Sequence, residues 1–373
     1  MKYYVIAGEA SGDLHASNLI REIRKLDVSA EFRCWGGDLM KQQGAVLVKH
    51  YRDLAFMGFL EVLVNLRTIL GNLAFCKRDI LESKPDAVIL VDYPGFNLRM
   101  AKFVHKQKIP VIYYISPQLW AWKQSRVETI RSAVDKMVVI LPFEKEFYAR
   151  HGIGVYFSGH PLLDALSERT SGPVLPDSGK RLVALLPGSR RQEISMVLPL
   201  MLAVMKDFPD IDFAIAGVPT LGEDFYKKLM PANAIPVIMN RTYDLLKQSS
   251  AALVTSGTAT LETALIGVPE VVCYRGGYIS YLIARQVIKV KYISLINLIM
   301  DKQIVKELIQ KDLSRQNLKE ELNRLLFDDA YRQSMISDYE LLRHKLGDTG
   351  ASARAAAFIS AFVGGKQQLP DME

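Results

Sequence analysis

What most constrains this chain is a rhythm that is played twice. Short apolar runs that read as strands alternate with longer stretches of helical periodicity. In the first 160 residues the strand candidates are Tyr3–Ala7, Glu31–Trp35, Ala87–Val91, Val111–Ile115, Lys136–Ile140 and the shorter Val155–Phe157, with helical patterns such as Ser11–Leu26 and Leu98–Gln107 between them. The turn-rich "RTSGPVLPDSGKR", residues 169–181, interrupts the pattern and reads as a surface linker or loop. A second set follows: Leu182–Leu186, Asp212–Ala216, Val237–Met239, Ala252–Thr255 and Glu270–Tyr274, with helical stretches at Ile194–Lys206 and Thr260–Ile266. Alternation of this kind predicts parallel sheets covered by helices. Two sets predict an α/β protein of two Rossmann-like, doubly wound domains facing a cleft, with ligands beyond the carboxyl ends of the strands. The expected boundaries are 1–165 for the first domain and 166–344 for the second. From about Asp301 the chain reads as helical, and "ASARAAAFISAFV", residues 351–363, is a helix by propensity.

Composition narrows the function classes. At 373 residues, 49% hydrophobic and 23% charged, the chain is globular. Cys34, Cys76 and Cys273 lie far apart with no CxxC, which reads as reduced, buried thiols and no structural zinc. No His/Asp/Glu cluster has metal-ligand spacing, so no protein-built metal site and no metal cofactor is expected. After Lys2 only five apolar or aromatic residues precede Gly8 and Glu9, too few for a secretory signal. A net charge of +7 permits an anionic partner. Without a dense Lys/Arg stripe or an RNA-binding signature, nucleic acid is not expected. A phosphorylated substrate or an anionic membrane surface fits the charge equally well.

The segment "FMGFLEVLVNLRTILGNLAF", residues 56–75, has the length to span a bilayer as a helix. It carries Glu61 and Arg67, each costing roughly 2.5–3.5 kcal/mol at mid-bilayer. Glu61, Asn65, Thr68 and Asn72 form one polar stripe opposite a wide apolar face. A transmembrane helix is therefore rejected. Two readings stand: a core helix, or a helix whose apolar face, with Phe56, Met57 and Phe59, meets lipid.

Several short motifs carry chemistry. In "ALLPGSRRQEI", residues 184–194, a strand runs into Gly188, Ser189 and Arg190 and then a helix. Backbone N–H groups at a helix start make an anion site, though an ordinary strand–helix turn has the same pattern. Arg190 there is a cation at the helix's positive end, unfavourable unless an anion joins it. In "VTSGTATLETALIGVPEVV", residues 254–272, Ser256, Gly257 and Thr258 open a helix, and Glu262 follows one turn later. Hydroxyls and amides suit a diphosphate and the carboxylate suits ribose, while the alternative is a capping box. "VILVDYPGFNLRM", residues 88–100, places Asp92 at the end of a strong strand, as a general base or as a helix-capping or ion-paired aspartate. Trp120 and Trp122 in "YYISPQLWAWKQSR", residues 113–126, line a sugar or lipid site or simply pack. His160 in "FSGHPLLD", residues 157–164, reads by itself as a neutral core histidine.

Taken in order, "AGEASGD", "SPQLWAW", "LPFEKEFY", "GHPLLD", "LLPGSR", "SGTATLE" and "YISLINLI" resemble the lipid-A-disaccharide synthase family. The match runs from residue 5 to about residue 310 and weakens in the C-terminal helices. The resemblance implies an inverting glycosyltransferase of GT-B arrangement that needs no metal. Its final helices, about 345–373 here, fold back on the first domain. The implied donor is UDP-2,3-diacylglucosamine and the implied acceptor is 2,3-diacylglucosamine 1-phosphate, lipid X. The product is the β-1,6-linked disaccharide precursor of lipid A, with UDP released. The implied location is cytoplasmic and peripheral, at the cytoplasmic face of the inner membrane, and swapped homodimers are known in the family.

Residue by residue, the resemblance implies Asp92 of the D-x-P-x-F-N motif as general base. It implies Arg190, Glu262 and Asn297 as donor-binding positions, joined by Gly188, Ser189, Ser256, Gly257 and Thr258 of the same loops. Ile296 stands where the family often has proline. "AGEASGD" lacks a dinucleotide fingerprint, and Glu9 and Asp13 would repel a pyrophosphate. Its residues Glu9, Ser11, Gly12 and Asp13, with Trp120 and His160, are expected on the acceptor or sugar side. The alternative is that Ser11 or Asp13 only caps the first helix. Two rivals remain: another GT-B enzyme of a soluble UDP-sugar, such as a UDP-N-acetylglucosamine 2-epimerase, and a non-catalytic nucleotide-sugar-binding module.

Overall fold

The structure is a computed structural model that describes residues 1–53, 66–121, 124–167, 172–230, 235–277 and 291–365. The chain divides into two compact units, Met1–Asp164 with Leu346–Glu373, and Ala165–Lys345.

The first unit is built on a seven-stranded sheet: β1 (Lys2–Ala7), β2 (Glu31–Gly36), β3 (Val46–His50), β4 (Ala87–Val91), β5 (Val111–Tyr114), β6 (Lys136–Val139) and β7 (Tyr156–Phe157), in the order β3-β2-β1-β4-β5-β6-β7. All pairings are parallel. Strand β4, AVILV, is buried at every position. Both faces of a helix-covered sheet are dry, so the run is continuously apolar rather than alternating. Tyr4, Val88 and Tyr113 of the sheet and Val104, Cys76 and Tyr148 of the covering helices share one core.

The helix Ala351–Val363 belongs to this unit and packs on the helix Ala10–Leu26. Asp164 caps its start, accepting from Gly350 N–H at 2.5 Å and Ser352 N–H at 3.0 Å. Arg354 Nε donates to the Ser158 carbonyl at 2.8 Å, and Tyr156 stacks on Phe358 with centroids 4.3 Å apart. The C-terminal helix therefore folds back on the first unit.

The second unit holds a six-stranded sheet: β8 (Arg181–Leu186), β9 (Ile211–Gly217), β10 (Val237–Met239), β11 (Ala251–Thr255), β12 (Glu270–Tyr274) and β13 (Lys306–Ile309), in the order β10-β9-β8-β11-β12-β13, again parallel. Each sheet reverses direction of growth once, between β1 and β4 and between β8 and β11. At such a point the loops leave neighbouring strands in opposite directions, and ligands of this sheet type bind at the carboxyl edge there.

Two strands escaped the sequence reading. The first is β3 at the edge of the first sheet. The second is β13, which corrects the expectation that everything from Asp301 is helical. Both are edge strands that carry charge, Lys49 and His50 in one and Lys306 and Glu307 in the other. Charge protects an open edge from pairing; in β13, KELI, it also breaks the apolar pattern, while β3, VLVKH, keeps an apolar run that the sequence reading passed over. The helix expected over 56–75 is described from Leu66 and continues to Ser83. Phe56, Met57 and Phe59 lie outside the described residues. Of the polar stripe, Asn72 turns inward and accepts from Lys49 Nζ at 2.8 Å, while Leu70 is 53% exposed. Among the described residues no helix is long and apolar enough to cross a membrane.

Candidate functional site

In the first unit the register sets the chemistry. Ala7 pairs with Val91 and Val91 pairs with Tyr114, so Gly8, Asp92 and Ile115 leave three adjacent strands side by side. Asp92 has φ 44°, Tyr93 φ 47° and Ile115 φ 66°. None is glycine, and such positions cost roughly 1–3 kcal/mol each, which only surrounding structure can hold. The hold is visible. Asn97, fully buried, donates from Nδ2 to the Asp92 carbonyl at 2.8 Å and the Val91 carbonyl at 3.1 Å, and Tyr113 Oη donates to the Asp92 carbonyl at 2.6 Å. The Tyr93 ring lies over Gly8 so closely that a Cβ there would sit 2.3 Å from it. Only glycine admits that approach.

The half-buried Asp92 carboxyl is pushed up to about 7, first by burial and then by the negative charge of Glu9. A carboxylate with that affinity for a proton near neutral pH is suited to general base work. Glu9 is half-buried and Ser11 exposed at this edge.

Asp13 has a different task from the sugar contact expected of it. It is buried and accepts from the N–H groups of Gly37 at 2.8 Å, Met40 at 3.1 Å and Leu39 at 3.2 Å. It thus caps the helix Asp38–Gln42 rather than its own helix, whose N-cap Glu9 makes no side-chain cap bond. Gly12 is buried against Ala7, a packing position rather than a sugar-facing one.

His160 fits its reading as a neutral core histidine and not the acceptor-side expectation. It is 3% exposed, its Nδ1 accepts from Leu162 N–H at 3.2 Å, and burial, with His15 nearby, lowers it to about 3. His15 is lowered to about 4 by burial, with Asp164 opposing. Both stay neutral, and the His160 backbone N–H donates to the Leu346 carbonyl at 3.1 Å, where the C-terminal segment joins this unit. Trp120 is half-buried, edge-on to Phe143 at 5.0 Å, with its Nε1 donating to Glu144 Oε1 at 3.3 Å. Trp122 lies outside the described residues.

In the second unit Leu186 pairs with Val254, so the loops after β8 and β11 leave the sheet together at its switch point. Gly188 has φ 122°, and a Cβ there would lie 2.3 Å from Glu193 Oε2. Glu193 Oε2 accepts from Ser189 N–H at 3.0 Å. A carboxylate of the first turn therefore already stands at the positive start of the helix Arg191–Val204. The exposed Arg190 does not by itself require a phosphate, contrary to the inference from its position.

Gly257 and Thr258 are exposed at the start of the helix Thr258–Ile266. Ser256 Oγ donates to the Ile293 carbonyl at 3.2 Å, and Glu262 Oε1 accepts from Tyr243 Oη at 2.9 Å. The first N–H groups of a helix have no intrahelical partner, so this exposed start has donors to offer an anion.

Asn297 is the clearest departure. It is 0% exposed. Its Nδ2 donates to the Val305 carbonyl and to Glu307 Oε1, both at 2.9 Å, and its Oδ1 accepts from Ile304 and Val305 N–H at 2.8 and 3.1 Å. Two donors and two acceptors are all an asparagine side chain offers. Asn297 therefore clamps the 294–307 turn, with its side-chain donors and acceptors all engaged within the chain. Ile296, in place of proline, is buried in the helix Leu295–Met300, whose N-cap Ser294 accepts from Asn297 N–H.

Sequence reading missed Asn97, Tyr113, Glu144 and Glu193. Asn97 stands in the D-x-P-x-F-N motif, and a motif asparagine five residues after a strand-end aspartate was signal enough. Tyr113 and Glu144 reach Asp92 and Trp120, partners that only folding brings near, whereas Glu193 meets Ser189 four residues upstream and was open to a sequence reading. Among the described residues no group of three or more His, Cys, Asp or Glu side chains could hold a metal ion, and all three cysteines are free and buried.

Comparison with known proteins places this geometry. Residues 3–362 match the model of the lipid-A-disaccharide synthetase family. The chain is 41% identical over 372 residues to lipid-A-disaccharide synthase of Syntrophus aciditrophicus, covering 96% of this chain and 97% of that one. It is 36% identical over 371 residues to the enzyme of Geobacter sulfurreducens, with coverage of 96% and 97%. Among solved structures it resembles a putative UDP-N-acetylglucosamine 2-epimerase from Listeria monocytogenes (TM-score 0.70, 14% identity, 99% and 98% covered) and the glycotransferase of kitacinnamycin (TM-score 0.68, 14% identity, 99% and 99% covered). At that identity the likeness to an epimerase speaks for the two-domain α/β fold alone, whereas the sequence relatives extend over nearly the whole chain. A glycosyltransferase fold, two switch-point loops in each unit and a family match from end to end converge on one conclusion: this chain belongs to the lipid-A-disaccharide synthase family.

Proposed function

We propose that the protein transfers 2,3-diacylglucosamine from its UDP ester to the 6-hydroxyl of 2,3-diacylglucosamine 1-phosphate, with inversion, releasing UDP. The unit 1–164 with 346–373 takes the acceptor, and the unit 165–345 takes the UDP-sugar. As the acceptor oxygen attacks the anomeric carbon, a C–O bond forms there, the bond to UDP breaks, and Asp92 receives the hydroxyl proton. Charge growing on the diphosphate is met by Arg190, Thr258 and the amides at the start of the helix Thr258–Ile266, without a metal. The observation that carries this reading is Asp92: a half-buried carboxyl, held at positive φ at a switch point, with proton affinity raised to about 7.

Membrane association at the cytoplasmic face belongs to the same proposal. Both substrates carry acyl chains, and the exposed Leu70, on the helix that follows the apolar 56–65 stretch, supports lipid contact near there. The test is an assay with the two acylated sugars that follows disaccharide and UDP. The wild type forms both. Asp92→Asn is expected to lower kcat by about 10²–10⁴ while UDP affinity stays unchanged. Normal turnover by this variant sinks the general base, and lost UDP affinity makes Asp92 a donor contact instead.

A further inference from the structure

Glu144 is the third residue of the helix Pro142–Ala149, and its Oε2 accepts from the N-cap Leu141 N–H at 3.0 Å and from Ile140 N–H at 3.3 Å. An ordinary capping glutamate does that much at the surface. This one is 1% exposed, and its other oxygen takes the indole N–H of Trp120 from the loop after the neighbouring strand β5. The preceding residue, Phe143, meets the same indole edge-on at 5.0 Å. Two consecutive helix residues thus grip one tryptophan, one by its N–H and one by its ring. The loop is pinned at its root too, where Ser116 Oγ lies 2.7 Å from Tyr148 Oη and Ile115 has φ 66°. Burying a carboxylate is expensive, and burial pushes Glu144 up to about 7. A helix cap alone does not call for that cost, because an exposed glutamate caps equally well.

We infer that Glu144 is a positioning residue that fixes the half-buried Trp120 as a wall of the acceptor site, coupling the loops after β5 and β6. The inference rests on the reading above that this edge of the unit takes the acceptor. Trp120 touches the acceptor, and Glu144 acts only through it.

Glu144→Gln tests the coupling. An amide offers one oxygen and one NH2, so either Trp120 or the Ile140 and Leu141 amides must face a donor. The acceptor KM is expected to rise about tenfold, which corresponds to roughly 1.4 kcal/mol, with donor KM unchanged. Trp120→Phe removes the indole N–H, so adding it to Glu144→Gln is expected to recover part of that loss. Effects that simply multiply, or a rise in donor KM to the same extent, overturn the inference, since contacts in one network are not additive. Should Glu144→Gln not fold, Trp120→Phe alone decides: a severalfold higher acceptor KM supports the inference, and an unchanged one overturns it. A wild type that forms no disaccharide sinks the functional reading and this inference together. Normal wild-type turnover with a variant pattern other than this one sinks the inference alone.

Discussion

The two switch points are built alike and finished differently. In each sheet two adjacent strands end nearly flush, β1 with β4 and β8 with β11, and their loops diverge. The edge of the first unit is strained and the drier of the two. It holds three non-glycine residues at positive φ, with the carboxyls of Asp92 and Glu144 both raised by burial. The switch point of the second unit is wetter, with exposed Ser189, Arg190, Gly257 and Thr258, and in that sheet the non-glycine residues at positive φ, Asn240 and Gln310, follow the outer strands β10 and β13 instead. The difference follows from the work proposed for each. A base must be desolvated to want a proton at neutral pH, and a drier, strained site provides that. A leaving diphosphate needs donors, which glycine, hydroxyls and a helix start supply without strain.

The comparison breaks most easily on pH. With the carboxyl of Asp92 near 7, kcat/KM is expected to fall about tenfold per unit below that point, since the base is then protonated. Glu9→Gln removes a charge that raises Asp92, so the midpoint of the profile should move to lower pH. A profile flat between pH 5 and 8 would remove the reason for calling the first edge the drier.

The second edge is sharpened by two variants with opposite outcomes. Arg190→Ala is expected to weaken UDP binding by about ten- to a hundredfold, in line with roughly 1.5–3 kcal/mol for a charged hydrogen bond, and to leave the melting temperature unchanged. Asn297→Ala should lower the melting temperature, because it takes the side-chain acceptor from the Ile304 and Val305 amides and one of the donors from Glu307. Calorimetric titration with UDP and a thermal melt check both. If Asn297→Ala folds normally and loses UDP, the clamp is the wrong account of this residue.

The last contrast concerns stability in the first unit. His15 is lowered to about 4, so the unfolded chain takes up its proton near 6.5 while the folded chain does not. The stability this neutral histidine contributes is present above pH 6.5 and is lost as pH falls towards 4, by about 1.4 kcal/mol per unit. Asp92 and Glu144 act in the opposite sense, because their folded forms keep protons up to about 7. The measurement is therefore a difference: denaturant melts of wild type and His15→Gln at pH 6.5 and 4.5, with the variant expected to lose less. Equal losses would mean that folding does not lower the proton affinity of His15.

Much of the fold was legible because periodicity is a local record of what faces water. AVILV at 87–91 cannot be other than a strand dry on both faces, and ASARAAAFISAFV shows its helix. Strand β13, KELI, was illegible because its charges hide the pattern, whereas β3, VLVKH, carried an apolar run that was passed over. The site was legible only in part. Asp92 and Thr258 stood out because a polar residue closing an apolar run marks the ligand edge of a parallel sheet. Asp13, Asn297 and His160 stood in motifs just as clear, and the structure turns each of them inward.

The sequence alone therefore determined two parallel α/β units, the loops that can bear chemistry and, through the order of seven motifs, the family. The tertiary structure alone decided which of those polar groups keep a free valence. A motif records that a side chain is needed, and its partner lies elsewhere in the chain: Gly37 and Met40 for Asp13, Val305 and Glu307 for Asn297, Glu9 for Asp92. Hydrogen-bond satisfaction and desolvation are properties of those long-range encounters, and they separate a base from a brace.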